Sequence, residues 1–290
     1  MDHVRARSFL FAPGNHERRA EKVFQSGADV AILDLEDAVA VEEKAAARAS
    51  VVRALQAPRS GLGFVRINGV DTPWCWADLQ AIVGPGLDGV MVPKVESAVQ
   101  LQVLDWVLTQ LERERGLVAG SLPLLPIIET ALGESRLEAL ATASPRVRRF
   151  AFGGADYSLD LGLQWTAGEQ EFDYLRARLV HVSRAAGLAA PIDTVTVQVK
   201  EPERFASSAA RARQFGLYGK LLIHPDQVAL CHAAFAPSAA EVARAQRIIE
   251  AFVAAEAEGV ASLRVDGEFI DYPVVEKARR ILAAAGVVVS

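Results

Sequence analysis

Nine residues suited to chemistry sit at the ends of eight short apolar runs in this chain. The runs occupy residues 8–13 (SFLFAP), 30–37 (VAILDLED), 63–68 (GFVRIN), 89–94 (GVMVPK), 124–130 (LLPIIET), 150–156 (FAFGGAD), 190–197 (APIDTVTV) and 219–225 (GKLLIHP). Their tips hold Glu36, Asp37, Arg66, Asn68, Lys94, Glu129, Asp156, Asp193 and His224. A strand that only packs a core needs no such tips, so they point to an enzyme. Glu129 and Asp156 close two consecutive runs. Neighbouring strands lie about 4.8 Å apart, so two such carboxylates can converge on one hard cation. No Cys or paired His competes as a softer ligand, which favours Mg2+ or Mn2+. The Gly153-Gly154 pair would let backbone approach a ligand closely. The alternative is two unrelated acids, one of them capping a helix.

Arg66 leaves its run beside Asn68, and a guanidinium there can clamp a carboxylate or an oxyanion formed during reaction. A salt bridge to Glu36 or Asp37 is the other reading, and both can hold. Glu36 and Asp37 crowd one mouth and need a balancing cation, so they are expected to orient water on a metal and Arg66 rather than to ligate directly. The APGN turn (12–15) opens a helix carrying Arg18, Arg19 and Lys22, an arrangement that suits phosphate. His224 is either a ligand contact near loops that often hold phosphate or a packed histidine. Asp271, before Tyr272-Pro273, reads in isolation as a helix cap.

The elements that must position these residues follow from the pattern. Helical periodicity fills the gaps at 16–26, 42–56, 97–114, 133–142, 171–186 and 201–214, with Ser97 as a cap and Pro202 at a helix start. Eightfold strand–helix alternation predicts an α/β fold, a (β/α)8 barrel over 1–236, whose active site lies at the carboxyl ends of the strands. Residues 238–257 read as an amphipathic helix opened by a Ser238/Glu241 capping box. A hairpin about Asp266-Gly267 (262–270) and a last helix from Pro273 to Ala285 follow. This helix–hairpin–helix module (237–290) reads as a lid. Trp74 and Trp76 are expected to pack in a loop after the third strand.

Composition narrows the class. The 290 residues are 51% hydrophobic with a net charge of −5, which supplies a large core and no basic face for nucleic acid or an anionic membrane. Cys75 and Cys231 stand alone and are expected to be reduced thiols. The N-terminal apolar stretch is too short for a secretory signal and no run could span a bilayer, so a cytoplasmic location is expected.

The blocks LFAPGN, GADVAILDLEDAVAVEEKAAAR, VRINGVDTPW, VMVPKVES, PIIETALG, FGGADYSLDLG, GKLLIHPDQV and DGEFIDYPVVEKA together resemble the citrate lyase β-subunit and malyl-CoA lyase superfamily, in order along the whole chain. The resemblance implies a barrel enzyme acting on hydroxyacyl thioesters of coenzyme A. It implies Mg2+ held by Glu129 and Asp156, and Arg66 at the substrate carboxylate and reacting oxygen. Asp271 becomes the acid–base residue on a lid that reaches over a neighbouring subunit's active site, hence a homo-oligomer (trimer or hexamer). Phe11, Lys22, Ile223 and His224 match positions around the CoA moiety. One departure is His16, where malyl-CoA lyases often carry Arg; Arg18 or Arg19 could substitute. Citrate lyase β-subunits proper often lack the long tail and use an acyl-carrier subunit, so the tail favours a stand-alone enzyme. The implied reaction is reversible, Mg-dependent cleavage of a 3-hydroxy-3-carboxyacyl-CoA, such as malyl-CoA or citramalyl-CoA, to acetyl-CoA and glyoxylate or pyruvate. A citryl-thioester lyase subunit, a malyl-CoA thioesterase and a metal-dependent 2-oxo acid aldolase without CoA are the alternatives.

Overall fold

The computed structural model describes residues 2–257, 259 and 262–287. Strand β1 (Ser8–Pro13) leads through α1 (Glu17–Lys22) to β2 (Val30–Asp34), then α2 (Lys44–Leu55), β3 (Leu62–Arg66), α3 (Cys75–Ile82), β4 (Gly89–Val92), α4 (Ala98–Glu114) and β5 (Leu124–Ile128). Short helices α5 (Ala131–Ser135) and α6 (Leu137–Ala141) precede β6 (Ala151–Phe152), and α7 (Gly154–Leu161), α8 (Asp173–Ala185) and α9 (Pro202–Phe215) precede β7 (Lys220–Leu222) and α10 (Gln227–Phe235). The strands pair in parallel in the order β6-β5-β4-β3-β2-β1-β7. This is the expected barrel with one stave altered.

The run at 190–197 is not a strand. Two isolated parallel bridges, Ala151↔Ile192 and Asp193↔Lys220, span the gap between β6 and β7. Backbone bonds from Phe152 N to Ile192 O (2.9 Å) and from Leu221 N to Asp193 O (2.8 Å) secure each side. The ladder stops there because side chains take over the partners: the Thr196 carbonyl accepts from Gln227 Nε2 (2.8 Å) instead of from a neighbouring strand. The TVTV alternation resembles a strand but is not paired as one.

Strand alternation sorts the barrel into two cores. Phe9, Val30, Ile32, Phe64, Met91, Leu125, Ile127, Ala151, Ile192 and Leu221 form a buried cluster inside. Leu10, Leu33, Val65, Val90, Leu124 and Leu222 belong to the larger cluster that includes the helices' apolar faces. Continuing the inward series by two residues towards the carboxyl ends reaches Phe11, Asp34, Arg66, Glu129, Gly153, Thr194 and Ile223. The layer above the apolar core is therefore the layer that carries chemistry.

Helix α4 starts with the expected Ser97, in a capping box completed by Gln100, and Pro202 opens α9. The predicted helix at 133–142 breaks into α5 and α6 at Arg136 (φ −114°). Helix α3 stands where the two tryptophans were expected in a loop, with Trp74 at its N-cap and Trp76 inside it. Helices α7 and α10 were not foreseen.

The chain divides into two compact units that part between Phe235 and Ala236. The second contains α11 (Ala239–Ala257), a hairpin of β8 (Leu263–Val265) and β9 (Glu268–Ile270), and α12 (Tyr272–Ala284). Asp266 and Gly267 both have positive φ (51° and 83°), as a tight two-residue hairpin turn requires. Ile248, Ile249, Phe252, Ile270, Val275 and Leu282 are among the residues of its own apolar core. Among the described residues no helix is long and apolar enough to cross a membrane.

Candidate active site

Asp34 and Arg66 are register partners on β2 and β3, so their inward side chains meet. Arg66 donates to both Asp34 oxygens, Nε to Oδ1 at 2.7 Å and Nη2 to Oδ2 at 2.6 Å. Its Nη1 lies 3.0 Å from Glu36 Oε2 and 3.6 Å from Asp37 Oδ2, the salt bridges anticipated from the sequence. Burial opposes the guanidinium's charge, yet Asp34, then Glu36 and Asp37, hold its pKa above the ordinary value. The guanidinium also stacks over the Phe11 ring, 5.0 Å from its centroid. Beneath, the Leu35 and Glu36 carbonyls are held by Lys44 Nζ (2.9 and 3.0 Å), and Asn68 Nδ2 bonds the Leu35 carbonyl and Asp78. Asn68 is therefore a bracket for the β2 exit.

Lys94 joins this cluster to the second pair of acids. Its backbone is left-handed (φ 48°), which costs a non-glycine residue roughly 1 kcal/mol or more. That turn aims its amide at Glu129 Oε1 (2.7 Å). Its ammonium lies 2.5 Å from Glu36 Oε1, 3.5 Å from Asp37 Oδ1 and 3.7 Å from Asp156 Oδ1. Glu129 follows β5 and Gly153 follows β6, side by side. A Cβ on Gly153 would stand 2.3 Å from Glu129 Oε2, so glycine is what leaves room for that carboxylate. Glu129 is 2% exposed. Burial, then the charge of Asp156, pushes its pKa up to about 8 against the pull of Arg66 and Lys94. Burial also raises Glu36, while Asp37 is held below the usual range by Glu36, Arg66 and Lys94 despite its own burial.

Charge and donor type decide what this mouth can hold. Five acids (Asp34, Glu36, Asp37, Glu129, Asp156) face two cations (Arg66, Lys94). A hard divalent cation beside Glu129 and Asp156 fits that deficit and the all-oxygen donors. Among the described residues no group of three or more His, Cys, Asp or Glu forms a closed metal cage. Mg2+ keeps several waters and is held by one or two carboxylates, the number that Glu129 and Asp156 supply.

A cavity of about 530 Å³ opens beside this cluster, lined by Leu10, Phe11, Ala12, Pro13, Arg18, Arg19, Lys22, Val23, Ile223, His224 and Pro225. It gathers Phe11, Lys22, Ile223 and His224, the four positions matched to the CoA surroundings, together with Arg18 and Arg19. His16 does not line it; that residue is exposed at the N-cap of α1 and makes no capping bond. Three cations on one short helix over an apolar floor suit a ligand with a polyanionic head and an apolar body. His224 Nδ1 accepts from Asp226 N (3.2 Å), so its ring is oriented locally while still facing the cavity.

Asp271, in the second unit, accepts from Val274 N (3.3 Å) as the N-cap of α12. Asp193 points out of the barrel into a buried ionic cluster with Arg176 and Lys220, so it is not a mouth residue. Sequence reasoning missed the Asp34 fork, the role of Lys94, and Thr194; the inward period of two would have found Asp34 and Thr194.

The family model described as HpcH/HpaI aldolase/citrate lyase matches residues 7–225. The chain is 36% identical over 281 residues to the citrate lyase subunit beta of Leuconostoc mesenteroides subsp. cremoris, covering 96% of this chain and 93% of that one. It is 35% identical over 298 residues to the L-malyl-CoA/beta-methylmalyl-CoA lyase of Cereibacter sphaeroides (strain ATCC 17029 / ATH 2.4.9), covering 95% and 93%. Among solved structures, the protein CitE from Mycobacterium tuberculosis in complex with magnesium, acetoacetate and coenzyme A is similar, with 27% identity, a TM-score of 0.81 and coverage of 97% and 98%. The match to the citrate lyase subunit leaves too little of this chain outside it to exclude the C-terminal module. The tail therefore does not separate a stand-alone enzyme from a lyase subunit, contrary to the expectation above.

Proposed function

The chain belongs to the HpcH/HpaI aldolase/citrate lyase family, and from that premise we propose that it is a Mg2+-dependent carbon–carbon lyase acting on a hydroxyacyl thioester of coenzyme A. The observation that carries the reading is the pair Glu129 and Asp156, two acids with too little counter-charge, beside the guanidinium of Arg66. Glu129 and Asp156 would hold the cation, which supplies Lewis-acid polarisation of the substrate's carboxylate and hydroxyl oxygens. Arg66, locked by its fork to Asp34, faces the charge that develops as the carbon–carbon bond breaks. Glu36, Asp37 and Lys94 orient that guanidinium and the water around the site. Phe11, Lys22, Ile223 and His224, with Arg18 or Arg19 for the phosphates, would take the CoA moiety along the 530 Å³ cavity. Asp271 is assigned the proton transfer at the enolate carbon of the released acetyl thioester, on the strength of the DGEFIDYPVVEKA block. We place residues 237–290 as a lid that serves the active site of a neighbouring copy, and so infer a homo-oligomer. Water excluded by such a lid would protect the enolate.

Malyl-CoA and citramalyl-CoA are the substrates we favour, with glyoxylate or pyruvate released beside acetyl-CoA. One methyl is worth about 1–3 kcal/mol in such a pocket, so the two compete closely. A citryl-thioester lyase subunit is the second reading, favoured by the near-complete match to the citrate lyase subunit beta. Incubating the protein with malyl-CoA, citramalyl-CoA and citryl-CoA in Mg2+, and identifying the oxo acid released, tests both. Glyoxylate or pyruvate supports the first reading and oxaloacetate the second. Free malate with intact CoA release marks a thioesterase, and turnover of free 2-oxo acid aldols with no inhibition by CoA rejects the CoA assignment.

A further inference from the structure

Between β6 and β7 the barrel is closed by a short stave with one backbone bridge on each side, and side chains brace it. Asp193, fully buried, accepts from Arg176 of α8 (2.9 and 3.0 Å) and from Lys220 of β7 (2.5 Å). Lys220 also donates to Ser208 of α9 (2.9 Å), Ser208 to Glu169 (2.8 Å), and Arg176 to Glu169 (2.5 Å). The ring is closed and contains two acids and two cations, so it is neutral and each charge has a partner. Burial works against the Asp193 charge, but Lys220 and Arg176 keep its pKa below the usual carboxylate range. The short stave is thereby fixed from its outer side.

Its next residue faces inward. Thr194 Oγ1 accepts the Gly154 amide at 2.8 Å, and Gly154 is the first residue of α7, two before Asp156. The contact is close as well as directional, since a Cβ on Gly154 would lie 2.8 Å from the same oxygen. Near the other end of α7, Asp160 accepts from Ala131 N (2.7 Å), two residues after Glu129. The helix bearing one cation-holding acid is thus tied at its start to the stave and near its end to the strand exit bearing the other.

We propose that Thr194 is a positioning residue for the cation site: its hydroxyl fixes the start of α7, and with it the height at which the Asp156 carboxylate meets the ligand shared with Glu129. This rests on the cation reading of Glu129 and Asp156. The test is Mn2+ titration of the purified full chain followed by electron paramagnetic resonance, alongside thermal melting without metal. Thr194→Val keeps the shape and removes the acceptor; it should melt as a folded protein and bind Mn2+ about 10-fold more weakly, the lower end of the cost of losing a direct partner of a metal ligand, because Thr194 acts through the Gly154 amide. Thr194→Ser restores the oxygen and should bind within about threefold of wild type. Gly154→Ala pushes on the same contact from the other side and should weaken binding alike, which carries the test if Thr194→Val does not fold. Equal Mn2+ affinity in wild type and Thr194→Val, or a serine variant as weak as the valine variant, overturns the positioning role alone. Absence of Mn2+ binding by the wild type overturns the cation site and this inference with it.

Discussion

Cation binding should release a proton, and the proton should come from Glu129. Burial and the neighbouring Asp156 charge set its carboxyl at about 8, so at pH 7 roughly ten molecules carry the proton for each that does not. A cation takes only the ionised form. Apparent Mg2+ affinity should therefore rise about ninefold from pH 6 to 7 and about fivefold from pH 7 to 8, and level off above about pH 9. Calorimetric titration at pH 7 in two buffers of different ionisation heat should find about 0.9 proton released per cation. Stability gives an independent reading. The folded pKa lies above the value of 4.5 expected of an unperturbed glutamate, so the stabilising contribution of the protonated form is full below that value and is lost as pH rises towards about 8. The slope is at most about 1.4 kcal/mol per pH unit. The metal-free protein should melt lower at pH 8 than at pH 6, and saturating Mg2+ should remove that difference. Glu129→Gln should bind cation more weakly at every pH and without the slope. A wild-type affinity that is flat between pH 6 and 8, with no proton released, would refute the reasoning.

Three other outcomes can be checked with ordinary means. Gly153→Ala places a methyl 2.3 Å from Glu129 Oε2 and 2.7 Å from its Cβ; it should cost about 1–3 kcal/mol of stability and abolish saturable Mg2+ binding, both readable by melting with and without metal. Lys220→Met leaves Asp193 and Glu169 sharing Arg176 alone, and removing one partner of a buried ion cluster costs about 3–5 kcal/mol, a fall in Tm of roughly 6–20 °C by scanning calorimetry. Asp271→Asn retains an acceptor for Val274 N, so α12 should remain capped, while cleavage is lost and CoA-ester affinity largely survives; retained turnover would discredit its assigned role.

Much of the site was legible because side chains on a strand alternate. The apolar runs put Glu129 and Arg66 at inward positions one step beyond the core residues Ile127 and Phe64, on strands separated only by β4. Asp34 stands at the same step beyond Ile32, but lying within an apolar run it was overlooked beside Glu36 and Asp37. Lys94 could not be assigned from spacing at all. Its contacts depend on a left-handed turn, and nothing in the dipeptide Pro93-Lys94 announces one. The seventh stave misled for a different reason: TVTV has strand periodicity, whereas pairing is decided by Gln227 and the hydroxyl of Thr194, which come from tertiary contact. Arg176 and Lys220 carry no sign in the sequence of the burial that the fold gives them together. Asp156 was placed at a strand tip and lies instead in the first turn of α7, because the glycines before it end β6 after two residues.

The left-handed backbone at Lys94 carries a consequence for how this sequence can drift. Glycine would occupy that conformation without strain, so Lys94→Gly would relieve about 1 kcal/mol of local backbone cost. It would keep the amide bond to Glu129 and forfeit the ammonium between Glu36, Asp37 and Asp156. The strained turn is therefore held in place by charge: without lysine the crowded acids would face Arg66 alone, so a heat-tolerance screen run without metal should keep lysine here, and glycine should be tolerated only where a bound divalent cation replaces the lost charge.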